Sequence, residues 1–228
     1  MFYLFHHMPK CGGTSFTAYL ESIFRVLDDY HNPGGPKADL QRFDRFVRSP
    51  KKLRNLTSNH CVAGHYNLDR IFLWERYPEL EEIEHRKFSV LRHPFDTARS
   101  GAYFSVKRGR AEPFGESELL SRMLGRKNFF AKTLGIRDAN QVDEVLSRYW
   151  FVAPLDQLKD AVKILESTTG RSGIEVPFSN TTDKPHLVSV EALRKRFAEA
   201  NPLDHLIYER AVERFCRDLP SLVSRTAT

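Results

Sequence analysis

Cysteine is scarce in this chain. Three residues, Cys11, Cys61 and Cys216, are too few and too scattered for a disulfide framework or a zinc site, which fits a reducing compartment. Long apolar runs are missing as well. No stretch approaches the roughly 20 residues that span a bilayer, so no transmembrane segment is expected. No basic segment precedes a long apolar one at the N-terminus, so no signal peptide is expected either. Repeats and low-complexity tracts are absent. So is the Gly-x-x-x-x-Gly-Lys-Ser/Thr spacing of a nucleoside-triphosphate loop. No acidic strand end of the metal-holding kind is visible, and no metal is expected.

What remains is an ordinary globular composition with a basic balance. The 228 residues are 41% hydrophobic and 12% aromatic, which excludes wholesale disorder. This length suits a single domain over residues 1–228. A formal charge of +6 and a pI near 9.3 favour an anionic partner, and a nucleic acid, a nucleotide or an acidic glycan all satisfy that condition.

Hydrophobic periodicity organises the chain. Residues 2–7 read as a short buried strand and 9–15 as a turn. Phe16, Tyr19, Leu20, Ile23, Phe24 and Leu27 then recur at helical spacing. Further strands are expected at Cys61–Ala63, Phe88–Leu91 and from Tyr149, with a last short one in "IEVPFSN". Helices are expected from Pro94, where proline suits a first turn, behind the Tyr149 strand, and over 189–199 and 203–217. Alternating strands and helices predict an α/β fold, a P-loop-like domain with a central parallel sheet flanked by helices.

The chemistry gathers in "HHMPKCGGTSF", residues 6–16. A loop that leaves a strand and opens a helix presents free backbone N–H groups and the positive end of a helix dipole. Gly12 and Gly13 let such a loop close round an anion. Thr14 and Ser15 add hydroxyls and Lys10 a charge. Phosphate binding is the functional reading. A plain glycine turn with a hydroxyl cap is the other.

"PKCGGTS" at 9–15 resembles the 5'-phosphosulfate loop of sulfotransferases, in particular those that sulfate carbohydrates. That family's second element, an arginine and a serine gripping a 3'-phosphate, is matched by "LRHPFDTARSGAYF" at 91–104, with Arg92 at the strand end and Ser100 on the helix. The resemblance covers most of the chain. It implies the sulfotransferase fold, 3'-phosphoadenylyl sulfate as co-substrate without a metal, and nucleotide contacts at Lys10, Cys11, Gly12, Gly13, Thr14, Ser15, Arg92 and Ser100. "NTTDKP" at 180–185 resembles the family's late Thr-Thr-x-Lys loop and adds Thr182 and Lys184. Transfer to an alcohol needs charge neutralisation and a base. Lys10 is the candidate for the first and His65 for the second.

"AGHYNL" around His65 resembles the catalytic segment of uronyl 2-O-sulfotransferases, where a second histidine often stands two places earlier; Ala63 stands there in this chain. His6, His7, His60 and His93 are expected beside the same site. A ring edge of the Tyr149–Phe151 run is a candidate for meeting adenine. Lys107, Arg108, Arg110, Arg122, Arg126 and Lys127 form either a solvated basic face or a groove for an anionic sugar chain.

The resemblance implies an acceptor alcohol, a glycan or other hydroxylated metabolite. It also implies either a bacterial-like cytoplasmic enzyme or a luminal catalytic domain trimmed of its anchor. A nucleotide kinase or other phosphoryl transferase is the first rival. A nucleic-acid binder is the second, although no RNA-stacking or groove-reading motif is present.

Overall fold

Phe2–His6 (β1) is buried along its whole length, which suits a central strand of a parallel sheet covered on both faces. A computed structural model describes residues 1–30, 39–68, 71–176 and 190–224. Thr182, Lys184 and the second half of "IEVPFSN" lie outside the described residues. The other strands are Arg25–Asp29 (β2), His60–Gly64 (β3), His85–Leu91 (β4) and Phe151–Pro154 (β5). All pair in parallel, in the order β2-β3-β1-β4-β5.

The helices are Gly13–Ile23 (α1), Asp39–Val47 (α2), Leu73–Arg76 (α3), Pro94–Lys107 (α4), Glu116–Leu124 (α5), Phe129–Leu134 (α6), Val142–Ser147 (α7), Leu158–Thr169 (α8), Val190–Ala200 (α9) and Pro202–Ser224 (α10). β1 alternates between two cores. Tyr3 and Phe5 pack with Phe16 and Tyr19 of α1, Ile164 of α8 and Phe215 of α10. Phe2 and Leu4 pack on the opposite face with Leu53, Val62, Tyr66 and Tyr77. Each fully buried ring contributes roughly 1.5–3 kcal/mol of transfer free energy. The expected α/β fold with a central parallel sheet flanked by helices is the one observed.

The chain order creates a crevice. From β1 the chain winds to one side through β2 and β3, then crosses to the other through β4 and β5. The carboxyl end of β1 therefore lies at the point where the winding reverses, the place where open α/β sheets bind ligands.

Three expectations for the elements need correction. The helical spacing that ran through Leu27 breaks at Phe24, which is extended and caps α1. Val26 and Leu27 then pack into different cores as neighbours on β2. Their apolar side chains match both periods, and sheet pairing decides between them. The described part of "IEVPFSN", residues 174–176, holds no strand, so β2 is the fifth strand of the sheet. β4 begins three residues earlier than expected because Arg86 and Lys87 lay their stems and charges over the Trp150 and Tyr149 rings, at 4.8 and 4.1 Å.

The end of β2 carries a buried charge. Arg76 makes a two-pronged contact with Asp29, Nη2 to Oδ1 at 2.6 Å and Nε to Oδ2 at 2.8 Å. Tyr66 and Tyr77 donate to Oδ2 at 3.1 and 2.8 Å. Removing one partner of such a pair strands the other charge away from water. Asp29→Ala should lower the free energy of unfolding by about 3–5 kcal/mol, read as a lower urea midpoint. A loss below about 1 kcal/mol would mean the network does not hold the strand end.

Candidate active site

Residues 7–13 join β1 to α1 across the crevice. Gly12 adopts φ 77° and Lys10 φ 68°, a region that glycine enters freely and lysine at a cost of about 1 kcal/mol or more. Gly13 answers a different need. A Cβ there would overlap the His7 imidazole, which lies against its backbone. α1 opens on Gly12, which has no side chain to cap it, and a helix start of this kind suits an anion. Thr14 is exposed on that turn and Ser15 is buried. Cys11 is wholly buried, its Sγ 3.7 Å from Thr97 Oγ1 and from the Pro9 carbonyl. Burial pushes this thiol up to about 11, so Cys11 offers the loop its backbone alone.

Lys10 leaves the loop toward α4. Its Nζ lies 3.6 Å from the centroid of the Phe104 ring. Burial, then Arg92, Lys107 and Arg108, depress its pKa. These three cations reach Lys10 from the end of β4 and the end of α4. Ser100 is buried between Thr97 and Phe104 on the same helical face. Arg92 lies near Lys10, and Ser100 lies on the α4 face that carries Phe104, the ring beneath Lys10. Phe104 was missed. Its signal is the spacing Thr97, Ser100, Phe104, which puts a ring on the face that carries the serine.

A cavity of about 20 Å³ lies between Lys10, Thr97, Gly101 and Arg126. It has room for a single water, far below the hundreds of Å³ that a nucleotide fills.

His65 follows the last residue of β3. Its ring centroid is 4.6 Å from that of His7 and 4.9 Å from that of Tyr30. Ala63 is buried in the strand, and the imidazole beside His65 comes from β1 instead. The other histidines separate. His6 is fully buried, its Nδ1 2.7 Å from Tyr149 Oη and its Nε2 3.2 Å from the Tyr66 carbonyl. His60 starts β3 at the opposite end of the strand and bonds Thr57; it is not beside the site. His93 caps α4 and packs against His205 and Tyr208.

Of the run considered for adenine, Trp150 lies over Arg86 at the start of β4, Phe151 is buried in the core, and Tyr149 turns its hydroxyl to His6. The basic segment divides as well. Lys107 and Arg108 turn back to Lys10, whereas Arg122 pairs with Glu118 at 3.4 Å. Among described residues, no group of His, Cys, Asp and Glu could hold a metal ion. No described helix is long and apolar enough to cross a membrane.

No family model matches the chain, and no curated protein sequence matches it. Among solved structures, it is similar to a sulfotransferase from Alicyclobacillus acidocaldarius at a TM-score of 0.48 and 17% identity, over 98% of this chain and 95% of that one. It is also similar to mouse sulfotransferase SULT7A1 complexed with PAP, at 0.48 and 12%, over 90% of this chain and 66% of that one. Likeness at this distance concerns the path of the chain. No residue role follows from it.

Burial separates the protonation behaviour of the paired histidines from that of free imidazole. His6 is held down to about 3 by desolvation and then by Lys87. His7 is held down to about 3 by desolvation and then by His65 and His6. Both titrate near 6.5 when unfolded. Between these values the unfolded chain binds more protons, so stability is complete above about pH 6.5 and falls as pH drops toward 3. Each imidazole contributes a slope of up to about 1.4 kcal/mol per pH unit. Urea midpoints measured from about pH 7 to 4.5 should fall with that sign, and His6→Gln should remove about one proton from the slope. An equal slope in that variant would show that His6 is protonated in the fold.

Proposed function

We propose that this chain, as one domain over residues 1–228, is a sulfotransferase that moves a sulfuryl group from 3'-phosphoadenylyl sulfate to an acceptor hydroxyl. One observation carries the reading. Lys10 and Arg92, leaving adjacent parallel strand ends, lie within electrostatic reach of each other beside a helix start whose N-cap is Gly12. Like charges gathered there are stabilised by an anion with phosphate groups on both sides of the loop.

The donor's 5'-phosphosulfate takes the N–H groups of residues 12–15, with Lys10 neutralising charge on the departing phosphate. Arg92, with Ser100, takes the 3'-phosphate, for which a planar guanidinium offers two donors. Thr182 and Lys184 complete the nucleotide contacts in this reading. The acceptor oxygen forms a bond to sulfur as the sulfur–oxygen bond to the 5'-phosphate breaks. The acceptor proton passes to His65, and 3'-phosphoadenosine 5'-phosphate leaves. The acceptor is a glycan or another hydroxylated metabolite. The groove between α5 and α9 is lined by Glu116, Ser117, Leu120, Ser121, Leu124 and Arg196. In this reading the acceptor approaches from the His65 side.

3'-Phosphoadenosine 5'-phosphate without metal should raise Tm, and ATP with magnesium should not; the reverse result would favour a phosphoryl transferase. Arg92→Ala should weaken binding of the same nucleotide roughly 10- to 100-fold. His65→Ala should lower kcat about 10²- to 10⁴-fold while that binding survives. Near-normal turnover would remove His65 as the base.

A further inference from the structure

Three neighbouring strands each deliver one ring to the same edge of the sheet. His6 of β1 and Asp29 of β2 both pair with Gly64 of β3. The residues that follow, His7, Tyr30 and His65, therefore stand in a row. His65 meets His7 at 4.6 Å and 63°, and Tyr30 at 4.9 Å and 81°. Tyr30 meets His7 at 5.5 Å and 89°, and its hydroxyl lies 2.9 Å from His7 Nδ1. Every pair is edge to face, the arrangement that ring quadrupoles favour. His7 is further fixed by Phe5, stacked at 5.4 Å and 12°, and by the bare backbone of Gly13.

We infer that His7 and Tyr30 are positioning residues for His65: they form a two-walled aromatic seat that sets the plane of its ring and stabilises the imidazolium formed when it takes the acceptor's proton. This rests on the sulfotransferase reading above. A cation against aromatic rings gains most where water is excluded. The seat works only if its walls stay neutral while His65 becomes charged. Burial, then His65 and His6, hold His7 down to about 3. Burial pushes the Tyr30 phenol up, and Asp28 of β2 and Glu21 of α1 push it the same way. Near neutral pH neither wall competes with His65 for the proton. The hydrogen bond between the walls keeps the two rings at a fixed angle.

The test compares Tyr30→Phe, which keeps the ring and loses the hydroxyl, with Tyr30→Leu, which loses the ring. For Tyr30→Leu, kcat should fall about 10- to 100-fold, with acceptor KM and the affinity for 3'-phosphoadenosine 5'-phosphate within about twofold of wild type. Tyr30→Phe should recover most of that loss. If Tyr30→Leu does not fold, His7→Gln serves as the ring-removing variant, with the same expected split. Wild-type kcat in both ring-removing variants overturns the seat and leaves the sulfotransferase reading standing. Equal losses in Tyr30→Leu and Tyr30→Phe also overturn it, because the ring would then not matter. Failure of the wild-type protein to bind 3'-phosphoadenosine 5'-phosphate overturns both readings.

Discussion

Parallel pairing of β2, β3, β1 and β4 brings four strand ends to one edge, and everything chemical in this protein depends on that. In an antiparallel sheet successive ends would alternate between edges, and Tyr30, His65, Lys10 and Arg92 would not all lie toward one edge. Parallel strands require a long crossover between each pair, which is why residues so distant in sequence converge. The same pairing buries β1 on both faces, and this buried strand supports the loop. A loop that holds Lys10 at positive φ needs such a support, since strained backbone persists only where its surroundings over-determine it.

Alternation along a strand explains why adjacent histidines have different fates. His6 points into a closed layer and spends both ring nitrogens on Tyr149 and Tyr66. His7 lies one residue later, where β1 has ended, and its ring turns to the opposite side, against Gly13 and Tyr30. A slip of one residue in β1 would exchange the two and empty the site. The buried Asp29–Arg76 pair guards the neighbouring register at the end of β2, directly before Tyr30.

The parts legible in the sequence are those governed by local rules. The strand–loop–helix at residues 2–23 and the second junction at Arg92 follow from apolar periodicity, glycine and proline. The parallel sheet follows from their alternation. β2 was not legible, because Val26 and Leu27 suit a helix and a strand equally and only pairing with β3 decides. His7 was expected beside the site together with His6, His60 and His93, but which of these histidines stands against His65 was not legible. The sequence around His65 offers Ala63, and the second imidazole arrives through the register between β1 and β3. Charge on Arg86 and Lys87 concealed the start of β4, whose cations rest on rings from the segment before β5.

The position of Lys10 before the glycines divides the site into two sides. A lysine after the glycines would sit on α1 and reach back over the loop from the helix. Lys10 instead turns at the end of β1 and runs along α4 to Phe104, so its charge joins Arg92, Lys107 and Arg108 on the β4 side. The β3 and β2 side is left to rings that remain neutral, His7 and Tyr30, with His65 packed against both. Under the proposed reaction these two sides have opposite duties. The cationic side holds the phosphate that departs, and the aromatic side receives the proton of the hydroxyl that arrives. Sulfuryl transfer needs those partners on opposite sides of sulfur, and in the proposed reading a loop lying between two neighbouring strand ends provides that separation.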